Sequence, residues 1–380
     1  MIYKGFQDIR LSALGMGCMR LPTVNGDDNA VDEAATRDMV RAAFEGGINY
    51  FDTAYGYHGG NSERVMGKIL SEYPRDSFYL ATKFPGYSPA NWPYVKDIFT
   101  EQQRRLRTDH FDFYLFHNVC EMNIDAYLDP KYGIYDWLTE KKRDGAIRHL
   151  GFSVHGALPV MKRFLEAYGK DMEFCQIQLN YMDWDFQDAK AKVALLEEYG
   201  IPVWVMEPLR GGKLAALRPQ DEAKLKALRP DETATGWAFR FLQAIPSVTV
   251  VLSGMSSMEQ LRENLSIFAE DRPLNEREFD TLREIAADIL KAGTLPCTAC
   301  RYCTSHCPQE LDIPALIALY NEHKVTTEYG FGFIAPMALS AYPEDKKPGA
   351  CLGCRSCETV CPQQIGISEM MADFAAMLGE

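Results

Sequence analysis

Eight of the chain's eleven cysteines fall in two runs, CTACRYCTSHCP at residues 297–308 and CLGCRSCETVCP at residues 351–362, both spaced C-x-x-C-x-x-C-x-x-x-C-P. Clustered cysteines in a chain without a secretion signal read as a metal site rather than a disulfide framework. A second set of residues suited to chemistry lies far upstream. Asp52, Lys83 and His117 each close a short apolar run, and Tyr57 follows Asp52 in FDTAYGYHGG. A tyrosine with an ordinary pKa near 10 is a poor acid at neutral pH, and an adjacent ammonium is expected to lower that value. Lys83 can supply the charge, Asp52 can hold Lys83, and a neutral His117 can donate to a carbonyl oxygen and orient it. The combination suits proton delivery to a carbonyl as hydride arrives.

The two cysteine runs align without a gap. Cys297 matches Cys351, Cys307 matches Cys361 and Ile313 matches Ile367, all 54 positions apart, and each run leads into a helical pattern, IPALIALYNEH or ISEMMADFAAML. An insertion, roughly 324–350, separates the halves of this duplicated unit. The spacing resembles that of bacterial-type two-cluster ferredoxins. By that resemblance the first three cysteines of a run hold one [4Fe–4S] cluster, and the fourth serves the other. One cluster then takes Cys297, Cys300, Cys303 and Cys361, and the second takes Cys351, Cys354, Cys357 and Cys307. Zinc usually takes two separated C-x-x-C knuckles, unlike either run. Cys18, Cys120 and Cys175 fall in or beside apolar runs and are expected in the core, while His306 is expected to be exposed.

The chemistry upstream needs a scaffold that brings strand ends together. From residue 11 to about 270, short apolar runs alternate with amphipathic stretches: LGMGC, INYFD, FYLATK, FDFYLFH, IRHLGFS, FCQIQLN, VWVME and VTVVLSG. Eight strand–helix units of this kind predict a (β/α)8 TIM barrel, whose buried parallel strands are nearly continuously apolar and whose catalytic groups sit at the C-terminal strand ends. No G-x-G-x-x-G turn follows the first run, which disfavours a doubly wound sheet. The residues before it suggest a short hairpin. The expected fold class is α/β, divided into a barrel domain at 1–292 and a small C-terminal ferredoxin-like iron–sulfur domain at 293–380. The net charge of −13 argues against a nucleic-acid surface. No run approaches the eighteen or so apolar residues of a membrane span, so a cytoplasmic protein is expected.

Over about residues 1–290 the chain resembles the aldo-keto reductase family, through FDTAYGYHGGNSE, LATK, DFYLFH, GFSVH, PLRGG and SGMSSMEQLRENL. The resemblance implies that Asp52, Tyr57, Lys83 and His117 form the catalytic tetrad, with Tyr57 as general acid, and that NAD(P)H is the cofactor of a small-molecule carbonyl reductase. Ser153 and Gln176 match positions that bind the carboxamide. Pro208, Leu209 and Gly211 belong to the pyrophosphate loop, and Gly254, Ser256, Gln260, Glu263 and Asn264 match the adenosine end. The chain departs from the family at Val154, where asparagine is usual, at Met206, where a tyrosine commonly stacks on nicotinamide, and at Gln260, where a basic residue often holds a 2′-phosphate.

Three functions follow. The first is carbonyl and alcohol interconversion with NAD(P)H, coupled to the clusters and a redox protein partner. The second is an electron-transfer reductase whose clusters supply an acceptor or flavin in the barrel without nicotinamide. The third is a redox-sensing protein with a silent barrel, which an intact tetrad disfavours.

Overall fold

The computed structural model describes residues 1–295, 297, 299, 301, 303–327, 332–361 and 363–379. Two compact units, Met1–Thr281 and Leu282–Glu380, share the helix Glu276–Gly293, within which their border falls. Cys300 and Pro362 lie outside the described residues.

The first unit opens with an antiparallel hairpin, β1 (Tyr3–Phe6) and β2 (Ile9–Ser12). Eight parallel strands follow: β3 (Leu14–Gly17), β4 (Tyr50–Asp52), β5 (Tyr79–Phe84), β6 (Phe111–Val119), β7 (Ile147–Val154), β8 (Cys175–Gln178), β9 (Val203–Met206) and β10 (Val248–Gly254). They close into a barrel because β10 pairs with both β9 and β3. A helix follows each strand, from Glu33–Glu45 after β3 to Met258–Ile267 after β10. With helices outside and side chains inside, both strand faces are dry. Phe111–Phe116 are accordingly all buried, which is why the strands read as apolar runs rather than alternating ones.

Register decides which residues enter the barrel. Tyr50, Phe113, Trp204, Val250 and Leu252 pack together inside, with Phe6 of the hairpin against them. Phe6 meets Trp204 edge-on, with ring centroids 5.1 Å apart, and so plugs the N-terminal end. The open mouth is therefore the C-terminal end. Two residues beyond Tyr50, Ala81, Phe174 and Trp204 of this cluster stand Asp52, Lys83, Gln176 and Met206, and Ser153 pairs with Gln176.

In the second unit the sequence repeat is also a backbone repeat. Left-handed residues recur at one offset, Ala299 with Gly353, Arg301 with Arg355 and Glu310 with Gln364. The short turns Thr304–His306 and Glu358–Val360, and the helices Ile313–Thr327 and Ile367–Leu378, recur in the same way. Leu311, Leu316, Ile317, Met370, Met371 and Phe374 form a joint core that includes Cys303 and Cys357. The Tyr320 hydroxyl donates to Asp373 Oδ2 at 2.7 Å, tying the two helices.

One glycine sets how closely two barrel helices approach. A Cβ added at Gly67, in the helix Asn61–Leu70, would lie 2.2 Å from the Arg105 carbonyl oxygen and 2.6 Å from Leu106 Cα. Helix propensity alone would make Gly67→Ala stabilising by about 1 kcal/mol. Because the obstacle is backbone, we expect a loss of roughly 1–3 kcal/mol instead. Urea unfolding of the variant checks the sign.

Candidate active site

Asp52 ends β4 opposite Ala81 of β5, and Lys83 stands two residues beyond Ala81, on the same inner face. Lys83 Nζ donates to Asp52 Oδ1 at 2.5 Å and to the Thr53 carbonyl oxygen at 2.8 Å, with neither charged side chain more than 3% exposed. The chain then turns through Tyr57–Gly60, where His58 and Gly59 have φ of 53° and 62°. This turn sets the Tyr57 ring over the lysine, its centroid 5.2 Å from Nζ. His117 lies where β6 loses register with β7, between Phe116 and Val119, beside Asn118 at φ 55°. The Asn118 N–H donates to Ser153 Oγ at 2.8 Å, which fixes this irregularity. The His117 ring then meets Tyr57 edge-on with centroids 6.1 Å apart, and Tyr87 at 5.3 Å. Asp52, Tyr57, Lys83 and His117 thus come together in the mouth.

Burial dominates their electrostatics. It pushes the Asp52 carboxyl up, against the pull of Lys83. It works against the Lys83 charge as well, but Asp52 and Tyr57 more than offset it and the ammonium is held above its ordinary pKa. The expected lowering of the Tyr57 pKa does not occur. Desolvation raises the phenol above 10, although Lys83 pulls the other way. The ring is half-buried, but its electrostatic partners Lys83, Asp52 and Cys18 are all buried. Burial, then the Lys83 charge, then His155, push His117 well below 6.5, so its imidazole is neutral.

The fold adds supports that the spacing of residues along the chain does not single out. Glu63 accepts from Thr82 Oγ1 at 2.7 Å and Gln102 Nε2 at 2.9 Å, and pairs with Arg105 Nη1 at 3.1 Å. Gln102 Nε2 also reaches the Lys83 carbonyl oxygen at 3.0 Å, so this buried network braces the strand that carries the lysine. A sequence signal exists for it: Glu63, Met66, Gly67 and Leu70 lie on the buried face of one helix, and a carboxylate on that face demands partners. His58 accepts the Leu21 N–H at Nε2 (3.2 Å) and donates from Nδ1 to the Asp28 carbonyl oxygen (2.6 Å). That imidazole ties the Tyr57 turn to the loop after β3.

The residues expected around nicotinamide share the mouth. Ser153 and Gln176 are register neighbours on β7 and β8, both buried, and Gln176 Oε1 is buried without a hydrogen-bond partner among the described residues. An orphaned acceptor there fits a carboxamide NH2 group. Met206 ends β9 beside Gln178, and Val154 pairs with Ile177 and is fully buried in the wall. Pro208, Leu209 and Gly211 lie in the turn after β9, where Gly211 and Gly212 take φ of 69° and 100°. Its Arg210 turns inward onto Asp183 at 3.0 Å, an aspartate that also accepts from Gln178 and Asn180. Beyond Gly254, Gln260 Oε1 accepts the Ser256 N–H, Glu263 accepts from Thr233, and buried Asn264 donates to Ser253.

In the second unit a cavity is lined by Cys307, Cys351, Cys354 and Cys357 among apolar residues that include Leu311, Ile313 and Met371. Three thiols of one run and one of the other line this cavity, Cys357 buried, Cys307 and Cys351 half-buried and Cys354 exposed. The donor set is of the type a cubane cluster takes, although among the described residues they are not drawn together as a ligand group. Of the other set, Cys297, Cys303 and Cys361 pack on the same core, and Cys300 lies outside the described residues. Cys18, Cys120 and Cys175 are buried in the barrel unit, and His306 is exposed.

Removing one partner of the buried pair leaves the other uncompensated. We expect Asp52→Leu and Lys83→Met each to cost about 3–5 kcal/mol. The double variant should recover much of that loss without recovering turnover, as read by a double-mutant cycle of urea unfolding.

Residues 13–287 match the model of the aldo/keto reductase family, and residues 296–365 match that of a 4Fe-4S dicluster domain. An NADH-specific methylglyoxal reductase of Escherichia coli (strain K12) is 26% identical over 74% of this chain and 97% of its own length. The oxidoreductase YqkF of Bacillus subtilis (strain 168) is 28% identical over 76% of this chain and 97% of its own. The holo form of the aldo-keto reductase AKR11C1 from Bacillus halodurans superposes with a TM-score of 0.61 at 27% identity, covering 75% of this chain and 96% of that one. Among the described residues no helix is long and apolar enough to cross a membrane.

Proposed function

The chain belongs to the aldo/keto reductase family and carries a 4Fe-4S dicluster domain, and on that premise we propose that it interconverts a small-molecule carbonyl and its alcohol with NAD(P)H, Tyr57 acting as general acid and base, while two [4Fe–4S] clusters exchange electrons with a redox partner. The observation that carries this reading is the buried Lys83–Asp52 pair beneath the Tyr57 ring with neutral His117 beside it. The methylglyoxal reductase among the relatives supports the carbonyl chemistry.

A nicotinamide held in the mouth would supply the hydride to a carbonyl carbon. Ser153 and Gln176 orient its carboxamide. His117, neutral, donates to the carbonyl oxygen and holds it beside Tyr57. The phenol passes its proton to that oxygen, and Lys83 stabilises the phenolate left behind. Asp52 keeps the ammonium in place. A phenol held above its ordinary pKa stays protonated at neutral pH but is the weaker acid for it, so proton delivery in this reading depends on Lys83 stabilising the phenolate as it forms.

The clusters carry single electrons, whereas hydride carries two, and nicotinamide is a reluctant one-electron carrier. A second reading answers this mismatch. Met206 offers a thioether where an aromatic ring would stack, and Val154 is committed to the barrel wall. Both favour a mouth that receives electrons from the clusters and passes them to an acceptor without nicotinamide.

Anaerobic mixing with NADH or NADPH separates the two readings. Loss of the cluster absorbance supports coupling to nicotinamide. A carbonyl reduced at full rate by folded protein lacking the eight cysteines would exclude any role for the clusters in that reaction. For Tyr57→Phe we expect kcat to fall by about 10²–10⁴-fold; unchanged turnover would remove Tyr57 from the reaction. The pH profile follows from the shifts. Reduction needs the phenol, so its rate stays level through neutral pH and declines only as pH passes the raised Tyr57 value, above 10. Oxidation needs the phenolate and rises over that same interval. His117 adds no acidic limb near pH 6.5, because its shift is downward.

A further inference from the structure

The turn that carries Tyr57 is gripped from the helix layer outside the barrel. Within it His58, Gly59 and Gly60 take φ of 53°, 62° and 89°, and the Tyr57 N–H donates to the Ala54 carbonyl oxygen at 3.2 Å. Glycine backbone of this kind has many alternatives open to it, so what fixes the turn must come from elsewhere. Arg105, on the helix Val95–Leu106 and with its side chain 10% exposed, donates from Nη1 to the Tyr55 carbonyl oxygen at 3.0 Å. Its Cζ lies 4.2 Å from the centroid of the Tyr55 ring. A Cβ added at Gly60 would stand 3.0 Å from the same Nη1. The guanidinium therefore touches the chain on both sides of Tyr57.

The guanidinium is itself held. Glu63 Oε2 accepts from Nη1 at 3.1 Å, and Glu101 Oε1 accepts from Nε at 2.8 Å. Glu63 is fully buried, and its other oxygen accepts from Thr82 and Gln102. Gln102 stands one turn before Arg105 on the same helix, and its Nε2 donates to the Lys83 carbonyl oxygen at 3.0 Å. One helix face thus holds the lysine strand through Gln102 and the tyrosine turn through Arg105. Charge-assisted hydrogen bonds and a cation over an aromatic ring are both strengthened where water is excluded. The 5.2 Å between Lys83 Nζ and the Tyr57 ring centroid joins a strand to a turn, so it is set by whatever ties the two together.

We propose that Arg105 is a positioning residue for the carbonyl reaction, its guanidinium, seated on Glu63, fixing the Tyr57 turn over Lys83. Arg105 touches neither the lysine nor the phenol among the described residues and acts through Tyr55 and Gly60. This role rests on the proposed use of Tyr57 as general acid.

The test is steady-state kinetics of anaerobically purified, cluster-loaded protein with NADH or NADPH and a panel of aldehydes and ketones headed by methylglyoxal. The unaltered chain is compared with Arg105→Met, Arg105→Lys, Tyr57→Phe and the combination of Arg105→Met with Tyr57→Phe. Arg105→Met should lower kcat by roughly 10- to 100-fold, the scale of a small misplacement of a reacting group. Nucleotide affinity, read by fluorescence titration, should not change, and Arg105→Lys should restore part of kcat. In the Tyr57→Phe background Arg105→Met should cost nothing further, because the two act as one unit. Arg105→Met leaves the Glu63 carboxylate buried and short of a partner, so the comparison is repeated in a Glu63→Gln background, where no buried charge is stranded and kcat should fall likewise. Unchanged kcat in folded Arg105→Met overturns the assignment. Losses that multiply with that of Tyr57→Phe would make Arg105 a general support of the fold and overturn it too, as would a weakened nucleotide affinity with kcat intact. If the unaltered chain reduces no member of the panel with either nucleotide, the carbonyl-reductase reading falls and takes this role with it.

Discussion

A lysine and an aspartate with almost no exposure face one another inside a barrel, and much of the first unit serves to make that tolerable. Two charges taken out of water lose several kcal/mol of hydration each, and only close pairing and further hydrogen bonds return it. Lys83 has both, from Asp52 and from the Thr53 carbonyl. The pairing depends on register: Asp52 stands opposite Ala81, and the lysine two residues on shares its face. Glu63, Gln102 and Arg105 brace the same strand from the helix side. With the N-terminal end plugged by Phe6, the charges act only toward the mouth, where Tyr57 and His117 stand.

The second unit meets a different constraint. It is too small for a large apolar core, and a single cluster of its buried residues, among them Leu311, Leu316, Met371 and Phe374, is shared by both halves of the repeat. Metal binding can supply folding free energy to such a unit. The recurrence of left-handed residues at a fixed offset indicates that each cysteine loop is held in one backbone form. Non-glycine residues such as Arg301 and Arg355 take that conformation at some cost, and strain of this kind gathers at sites where the chain must curl around a ligand. The cavity that joins Cys307 to Cys351, Cys354 and Cys357 lies where such curling is needed.

The legibility of these features in the sequence follows their range. The eight strands can be read as apolar runs because burial on both faces removes alternation, and VTVVLSG matches its strand end to end. Strand ends are less legible: INYFD holds a three-residue strand, and β6 continues two residues past His117 into an irregularity. Glu63 does not stand out as a bracing residue because helical periodicity shows that a face is buried without showing what will satisfy a charge there.

The sequence by itself determined which residue types stand at which strand ends and how the cysteines are spaced, because both are properties of short stretches of chain. Tertiary structure decided the direction in which Tyr57 titrates and the commitment of Val154 to the wall. A pKa reflects every group that displaces water from the site, and here desolvation of the phenol outweighs the lysine that local reasoning expected to prevail. Charge placement can be read along a chain, whereas the loss of solvent around it is set only when distant segments close over the mouth.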